Sequence, residues 1–242
     1  YGGFCYLNNA AVAARMLSDC GPVAVLDVDY HHGNGTQSIF YTDPGVMYVS
    51  IHADPALEYP FHWGFRNERG EGLGLGTNVN LPLPLGADDA AYLAAVDTAL
   101  EHISHFGTSY LVVSMGLDAL AGDTIGEFRV TQKGWAEVGR RVAALMLPTV
   151  IVQEGGYQLA SLGQHAVQFL RENLTHHCPH VLFYHGFDLL KNHVSRQVQL
   201  VCSNRSEVDL AASHRALCQV SRVNRPRRDL LSVDRADCDV RG

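Results

Sequence analysis

The 242-residue sequence predicts an α/β fold, a parallel sheet flanked by helices on both faces. Three observations carry that prediction. Five short apolar runs recur before residue 154, amphipathic helical patterns fall between or after several of them, and the runs are continuous rather than alternating. Continuous apolar strands are the kind buried on both faces, as in the βαβ units of a parallel sheet.

The strand-like runs, in order, are "PVAVLDV" (22–28), "VMYVSI" (46–51), "VNLPL" (79–83), "YLVVSM" (110–115) and "PTVIVQ" (148–153). The first helical pattern, "DDAAYLAAVDTALEHISHF" (88–106), opens on two acids, which suit the positive end of a helix dipole. "TQKGWAEVGRRVAALM" (131–146) and "LASLGQHAVQFL" (159–170) keep the same period. The glycine-rich "RGEGLGLGTNVN" (69–80) lacks the Gly-Lys-Ser/Thr of a phosphate cradle and precedes a strand rather than opening a helix. It is expected to be a flexible loop near the site.

Beyond residue 170 the character changes. Of the 23 glycines only Gly186 and Gly242 fall there, arginine-rich stretches appear, and periodicity fades. The expected division is therefore 1–170, an α/β domain portion, and 171–242, a tail outside the site whose order and origin the sequence leaves open. "HHCPH" (176–180) matches no standard zinc spacing.

Composition narrows the class. No apolar run approaches the roughly 20 residues of a membrane span, and no signal peptide is visible. The six cysteines are scattered with no CxxC pair, which in a chain of this size argues for reduced thiols and a cytoplasmic location. Residues 1–170 carry 7 Lys/Arg against 17 Asp/Glu, a net −10 within the chain's −7. That surface repels nucleic acid and favours a cationic ligand. The opening Tyr-Gly-Gly-Phe, in place of Met, is expected to mark a fragment.

The chemistry concentrates at strand ends. In "LDVDYHHGNGT" (26–36), alternation puts Asp27, Asp29 and His31 on one face, beyond the carboxyl end of an apolar run. Ligands in open α/β sheets bind at such ends. Alone, the stretch is equally compatible with Asp27 and Asp29 capping a following helix. "LVVSMGLD" ends on Asp118 after a glycine, which makes two carboxylates and an imidazole, the open three-ligand arrangement of catalytic zinc. "VIVQEGGY" brings a phenol, Tyr157, able to donate to a developing oxyanion.

"GGFCYLNNAAVAA", "LDVDYHHGNGTQSIFY", "VSIHADP", "SMGLDALAGD" and "VQEGGY" occur in content and order as in the zinc-dependent deacetylases of the histone deacetylase and acetylpolyamine amidohydrolase superfamily. "HADPALEYPFHWGF" resembles the bacterial acetylpolyamine amidohydrolase branch. The resemblance covers roughly residues 1–170. It implies an arginase/deacetylase-like fold, here incomplete on its N-terminal side.

The resemblance further implies zinc held by Asp29, His31 and Asp118, with Tyr157 as the catalytic hydrogen-bond donor. Phe4 and Tyr59 would wall a narrow channel kept open by Gly3 and Gly156. Asp27 would bond a catalytic histidine and, with Asp29, His31 and Ser50, surround a structural potassium ion. A second potassium would sit on carbonyls near Phe40, Asp43 and Val46. His32 and Asn34 would lie just behind the zinc ligands. Read from pattern alone, the lesser alternatives are that Phe4 and Tyr59 are core aromatics and Tyr157 a buried turn residue. His52 is expected to be a partly exposed loop histidine, and His102 and His105 to be solvated.

The family carries a tandem histidine upstream of "GGFCYLNN" that serves as general base, and this chain begins after that position. The expected activity is zinc-dependent removal of acetyl groups from acetylated polyamines or acetyl-lysine, releasing acetate, with the isolated chain inactive. The alternatives are a non-catalytic zinc-containing acyl-amine binding fragment and a binuclear-metal ureohydrolase. Nucleic-acid and membrane partners are not expected; a homo-oligomer is left open.

Overall fold

The computed structural model describes residues 4–175, 181–184 and 198–201, with side chains described for 4–172. The strands are β1 (Val23–Asp27), β2 (Val46–Ala53), β3 (Asn78–Leu83), β4 (Tyr110–Met115), β5 (Thr149–Gln153), β6 (Val181–Tyr184) and β7 (Val198–Val201). They form one sheet in the order β3-β2-β1-β4-β5-β6-β7. All neighbours are parallel except the antiparallel pair β6 and β7. The five runs expected from the sequence are β1 to β5. The stretch 171–242 holds β6 and β7 as well as the end of the last helix; "HHCPH" lies outside the described residues.

Both faces of the sheet are covered, as continuous apolar strands require. Helices α1 (Asn9–Ser18) and α2 (Asn34–Phe40) cover one face; α3 (Asp89–His105), α4 (Gln132–Ala143) and α5 (Leu162–Thr175) belong to the other. Alternation divides each strand between two cores. Val23, Val25, Val46, Tyr48 and Val112 pack with Ala10, Ala14 and Phe40. Ala24, Leu26, Met47, Val49, Leu111 and Val113 pack with Tyr92, Val96, Trp135 and Phe169.

The expected acids at the start of α3 have separate tasks. Asp88 accepts the Ala91 N–H at 3.1 Å as N-cap, while Asp89 accepts from the backbone and hydroxyl of Thr131 at 2.7 and 2.6 Å. Thr131 in turn caps α4.

Three expectations need correction. Helix α1 is absent from the predicted patterns and α2 enters them only as a helix that Asp27 and Asp29 would cap: α1 is short and alanine-rich, and α2 is seven residues led by Gly33, with no side-chain cap. Asn8 caps α1 through the Ala11 N–H and also donates to Thr36 Oγ1 at 2.8 Å, so the two helices are tied together. The last helix opens later than expected, at Leu162, because the Leu159 and Ser161 N–H groups turn back onto the carbonyls of Tyr157 and Gln158.

The glycine-rich loop does not lie near the site. Its Glu71 N–H bonds Tyr41 O, and a Cβ on Gly74 would meet the Thr42–Asp43 backbone at 2.7–2.8 Å. These are residues leading into β2; a loop feeding the start of a parallel β3 sits at the amino ends of the strands, opposite the carboxyl ends.

Among the described residues no helix is long and apolar enough to cross a membrane. Cys5 and Cys20 are free and exposed.

Candidate metal centre and active site

The chain builds β1, β2 and β3 toward one edge, then crosses back to place β4 on the other side of β1. The carboxyl ends of β1 and β4 therefore flank a topological switch point, where open α/β sheets hold ligands. Asp29 and His31 follow β1; Asp118 follows β4. Their ligand atoms all lie within 4.8 Å of one another, and among the described residues no other group of three or more acids, histidines or cysteines comes so close.

The convergence is not produced by strand alternation. β1 ends at Asp27, and the chain then bends because each aspartate accepts an N–H two residues on: Asp27 Oδ1 from Asp29 at 3.2 Å, Asp29 Oδ1 from His31 at 2.8 Å. Neither aspartate caps α2, whose N-cap is Gly33. Val28 still bonds the Ser114 carbonyl, and the buried Tyr92 hydroxyl donates to Val28 O at 2.8 Å, so α3 fixes where the bend begins.

Each ligand carboxylate is held by backbone. Asp118 Oδ1 accepts the Tyr30 N–H at 2.9 Å, and Asp29 Oδ2 accepts the Gly155 N–H at 3.0 Å. His31 Nδ1 lies 3.1 Å from Asp118 Oδ2 and 3.3 Å from Asp29 Oδ1. Asp118 is fully buried. Burial and then the charge of Asp29 push its carboxyl up, with His31 opposing. Burial lowers the His31 imidazole, but bonds to Asp118 and Asp29 outweigh it and raise it to about 10. Two carboxylates thus crowd their negative charge around one imidazole. A divalent cation satisfies the same charge demand, and a tight N,O donor set with one side open fits zinc.

Two glycines missed by sequence reasoning let the strand ends close on this trio. A Cβ on Gly116 would lie 2.2 Å from Asp29 Oδ2, and one on Gly155 would lie 2.4 Å from Asp118 Oδ2 and 2.6 Å from Asp29 Oδ2. Their signal was present: each stands between an apolar run and a proposed functional residue. Gly156 answers to packing, since it has φ 137° and a Cβ there would meet Leu162 and Leu117.

The aromatic residues gather around the trio. The Tyr59 ring is 6.2 Å from the His31 ring, and Phe4 meets Tyr157 edge-on at 6.2 Å. Neither Phe4 nor Tyr59 is a core aromatic: Phe4 is 77 % exposed and Tyr59 half-buried. Burial, then the charges of Asp29 and Asp118, holds the Tyr157 phenol above its ordinary range. Gly3 lies outside the described residues.

Behind the trio is a buried polar layer. Burial pushes Asp27 up, and Tyr48 donates to its Oδ2 at 2.8 Å. Ser50, level with Asp27 in the β1–β2 register, is 2.8 Å from His52 Nδ1. Phe40 and Val46 lie at the ends of α2 and β2, with Asp43 between them accepting from Thr77 Oγ1. Asn34 opens α2.

His52 corrects the expected loop histidine. It stands in β2, fully buried, with Nε2 2.9 Å from Gly64 O. β2 runs two residues past the apolar run because β3 pairs with it as far as Ala53. His32 is buried against Gln37 Oε1 at 3.0 Å, an oxygen that also accepts from Asn78 and Asn80. Burial lowers His32 to about 4; burial and then the His32 charge lower His52 to about 3. His102 and His105 are exposed, as expected.

Comparison with known proteins identifies the family. Residues 1–173 match the Histone deacetylase domain. Acetylpolyamine amidohydrolase of Burkholderia pseudomallei is 52 % identical over 169 residues, covering 69 % of this chain and 50 % of the relative. Acetylpolyamine amidohydrolase 1 of Pseudomonas aeruginosa is 46 % identical over 172 residues, covering 70 % and 50 %. The crystal structure of the Burkholderia pseudomallei acetylpolyamine aminohydrolase superposes with a TM-score of 0.70 at 49 % identity, covering 72 % of this chain and 51 % of that one. A histone deacetylase homologue from Aquifex aeolicus gives 0.67 at 31 % identity, covering 71 % and 47 %. The chain spans about half the length of the curated relatives it matches. A domain match across residues 1–173, together with these identities, shows that the chain belongs to the histone deacetylase domain family.

Proposed function

We propose that the whole protein is a zinc-dependent amidohydrolase that removes acetyl groups from acetylated polyamines. The observation that carries this reading is the convergence of Asp29, His31 and Asp118 at the switch point, with Tyr157, the exposed Phe4 and the half-buried Tyr59 beside it. Zinc, when bound, would polarise the acetamide carbonyl and lower the pKa of a coordinated water.

The chain's own residues supply the rest. Asp29 and Asp118 present oxygens already oriented by the Gly155 and Tyr30 N–H groups, so little reorganisation accompanies binding. Tyr157 keeps its proton, which makes it a hydrogen-bond donor to the acetyl oxygen as negative charge develops there. Phe4 and Tyr59 confine an alkyl chain between apolar faces and exclude water from it. His32 and His52 do not act as the base: both are buried, held by neighbours, and depressed far below neutrality. The proton acceptor is another group.

Structural potassium beside Asp27 and Ser50 is part of the proposal. A buried carboxylate pushed up by desolvation and by Asp29 is where a monovalent cation relieves charge. The Phe40, Asp43 and Val46 carbonyls are proposed for a second ion. A binuclear ureohydrolase is disfavoured, because Asp123, the next acid after Asp118, spends its oxygens on backbone N–H groups and stands outside the trio.

Replacing Tyr157 by Phe is expected to lower kcat about 10²–10³-fold while zinc per chain is unchanged. Full kcat in that variant would remove Tyr157 from the reaction. For substrate class, the net −10 of residues 1–170 supports cationic polyamines over peptides. Acetylputrescine or acetylspermidine should give the higher kcat/KM when compared with an acetyl-lysine peptide; the opposite ranking would reassign the substrate and leave the amidohydrolase reading standing.

A further inference from the structure

Residues 154–158 belong to no strand or helix, yet they carry Tyr157. The Glu154 N–H bonds Met115 O and the Gly155 N–H bonds Asp29, which leaves Tyr157 itself to be fixed by something beyond the sheet ladder. That something is Asp123. Its Oδ2 accepts the N–H of Tyr157 at 2.7 Å and of Gln158 at 3.1 Å. Its Oδ1 accepts the N–H of Ile125 at 2.9 Å and of Gly126 at 3.4 Å. One carboxylate therefore joins the turn after β4 to the segment after β5. The two loops approach closely, since a Cβ on Gly122 would lie 3.1 Å from the side-chain Nε2 of Gln158.

We propose that Asp123 is a positioning residue: it fixes the Tyr157 backbone so that the phenol stands against the metal-binding trio. This rests on the reading of Tyr157 as the oxyanion donor. Bonds from N–H groups to a carboxylate are roughly twice as strong as neutral ones, and no ladder substitutes for them in this segment. Without them the N–H groups turn to water and the phenol loses its fixed approach. A displacement of about 1 Å at a reacting group costs on the order of 10²-fold in rate. Asp123 is not a metal ligand, so its loss leaves the trio intact.

The test is a double-mutant cycle in the whole protein. Asp123→Asn keeps the shape and one acceptor oxygen; it is expected to lower kcat about 10–10²-fold, with KM and zinc per chain unchanged. Asp123→Ala, which removes every acceptor, should lose more. In a Tyr157→Phe background, Asp123→Asn should change kcat very little, because the group it positions is already gone. Unchanged kcat for Asp123→Asn, alongside a large loss for Tyr157→Phe, would overturn the positioning role alone. An equal loss in both backgrounds, or loss of zinc, would also overturn it, by showing general support of the fold. Full activity of Tyr157→Phe itself would instead overturn the oxyanion reading on which the proposal stands.

Discussion

Asp118→Ala is expected to strip the whole protein of its metal and to lower kcat/KM by about 10³-fold or more, the effect of losing several kcal/mol of Lewis-acid stabilisation. Asp118 is the one fully buried member of the trio and the only member that follows β4. Its removal leaves Asp29 and His31, too few ligands for a stable site. The cost to the metal-free fold should be small, because two effects oppose. The buried Tyr30 N–H loses its acceptor, worth about 1–3 kcal/mol. Against this, the burial penalty on the Asp118 carboxylate and its repulsion from Asp29, which together raise that carboxyl against the pull of His31, disappear.

The signature is therefore in linkage. Added zinc should raise the Tm of the unmodified protein and leave that of the variant unmoved, since only a ligand bound by the native state stabilises it. Asp118→Asn, which still accepts from Tyr30, should lose metal in the same way with less effect on the metal-free fold. Metal analysis finding one zinc per chain in Asp118→Ala would remove the ligand assignment.

Gly155→Ala should be comparably damaging although it deletes nothing. The added carbon would sit 2.4 Å from Asp118 Oδ2 and 2.6 Å from Asp29 Oδ2, distances that real Cβ contacts do not reach. Neither oxygen can swing away freely. Asp118 is buried and tied to Tyr30, and Asp29 Oδ2 accepts from Gly155 itself. Either the carboxylates rotate out of their binding geometry or residues 154–158 lift off the site and take Tyr157 with them.

Metal affinity should fall at least about 10²-fold, beyond the range for disturbing an outer partner of a ligand. Displacement of Tyr157 should add a further loss on the order of 10²-fold in kcat. Gly163→Ala is the internal control. It lies in α5 with nothing within 4 Å of its Cβ position, so it should be neutral or stabilising by about 1 kcal/mol or less. Normal zinc content and kcat in Gly155→Ala would show that the two loops are not locked together as described.

What the sequence by itself determined was local in origin. Continuous apolar runs located β1 to β5, because burial on both faces leaves no polar alternate positions to disguise a strand. That Asp29, His31 and Asp118 meet at one edge of the sheet was legible because each follows such a run, and strand ends are where this class of sheet presents its chemistry. Helix α2 was hidden by its own residues: Asn, Gly and Thr at its start are poor helix formers, and it is held by tertiary contacts such as Asn8 to Thr36.

The tertiary structure alone decided the rest, because it depended on partners remote in sequence. His52 reads as loop until β1 and β3 are known to flank β2 and Gly64 to close over it. The glycine-rich loop reads as a neighbour of the site until parallel pairing places it at the strands' amino ends. Gly155 bonds an aspartate 126 positions away, and Asp123 a tyrosine 34 positions away. Spacing cannot announce contacts of that range; they exist only because the crossover from β3 back to β4 sets three strand ends side by side.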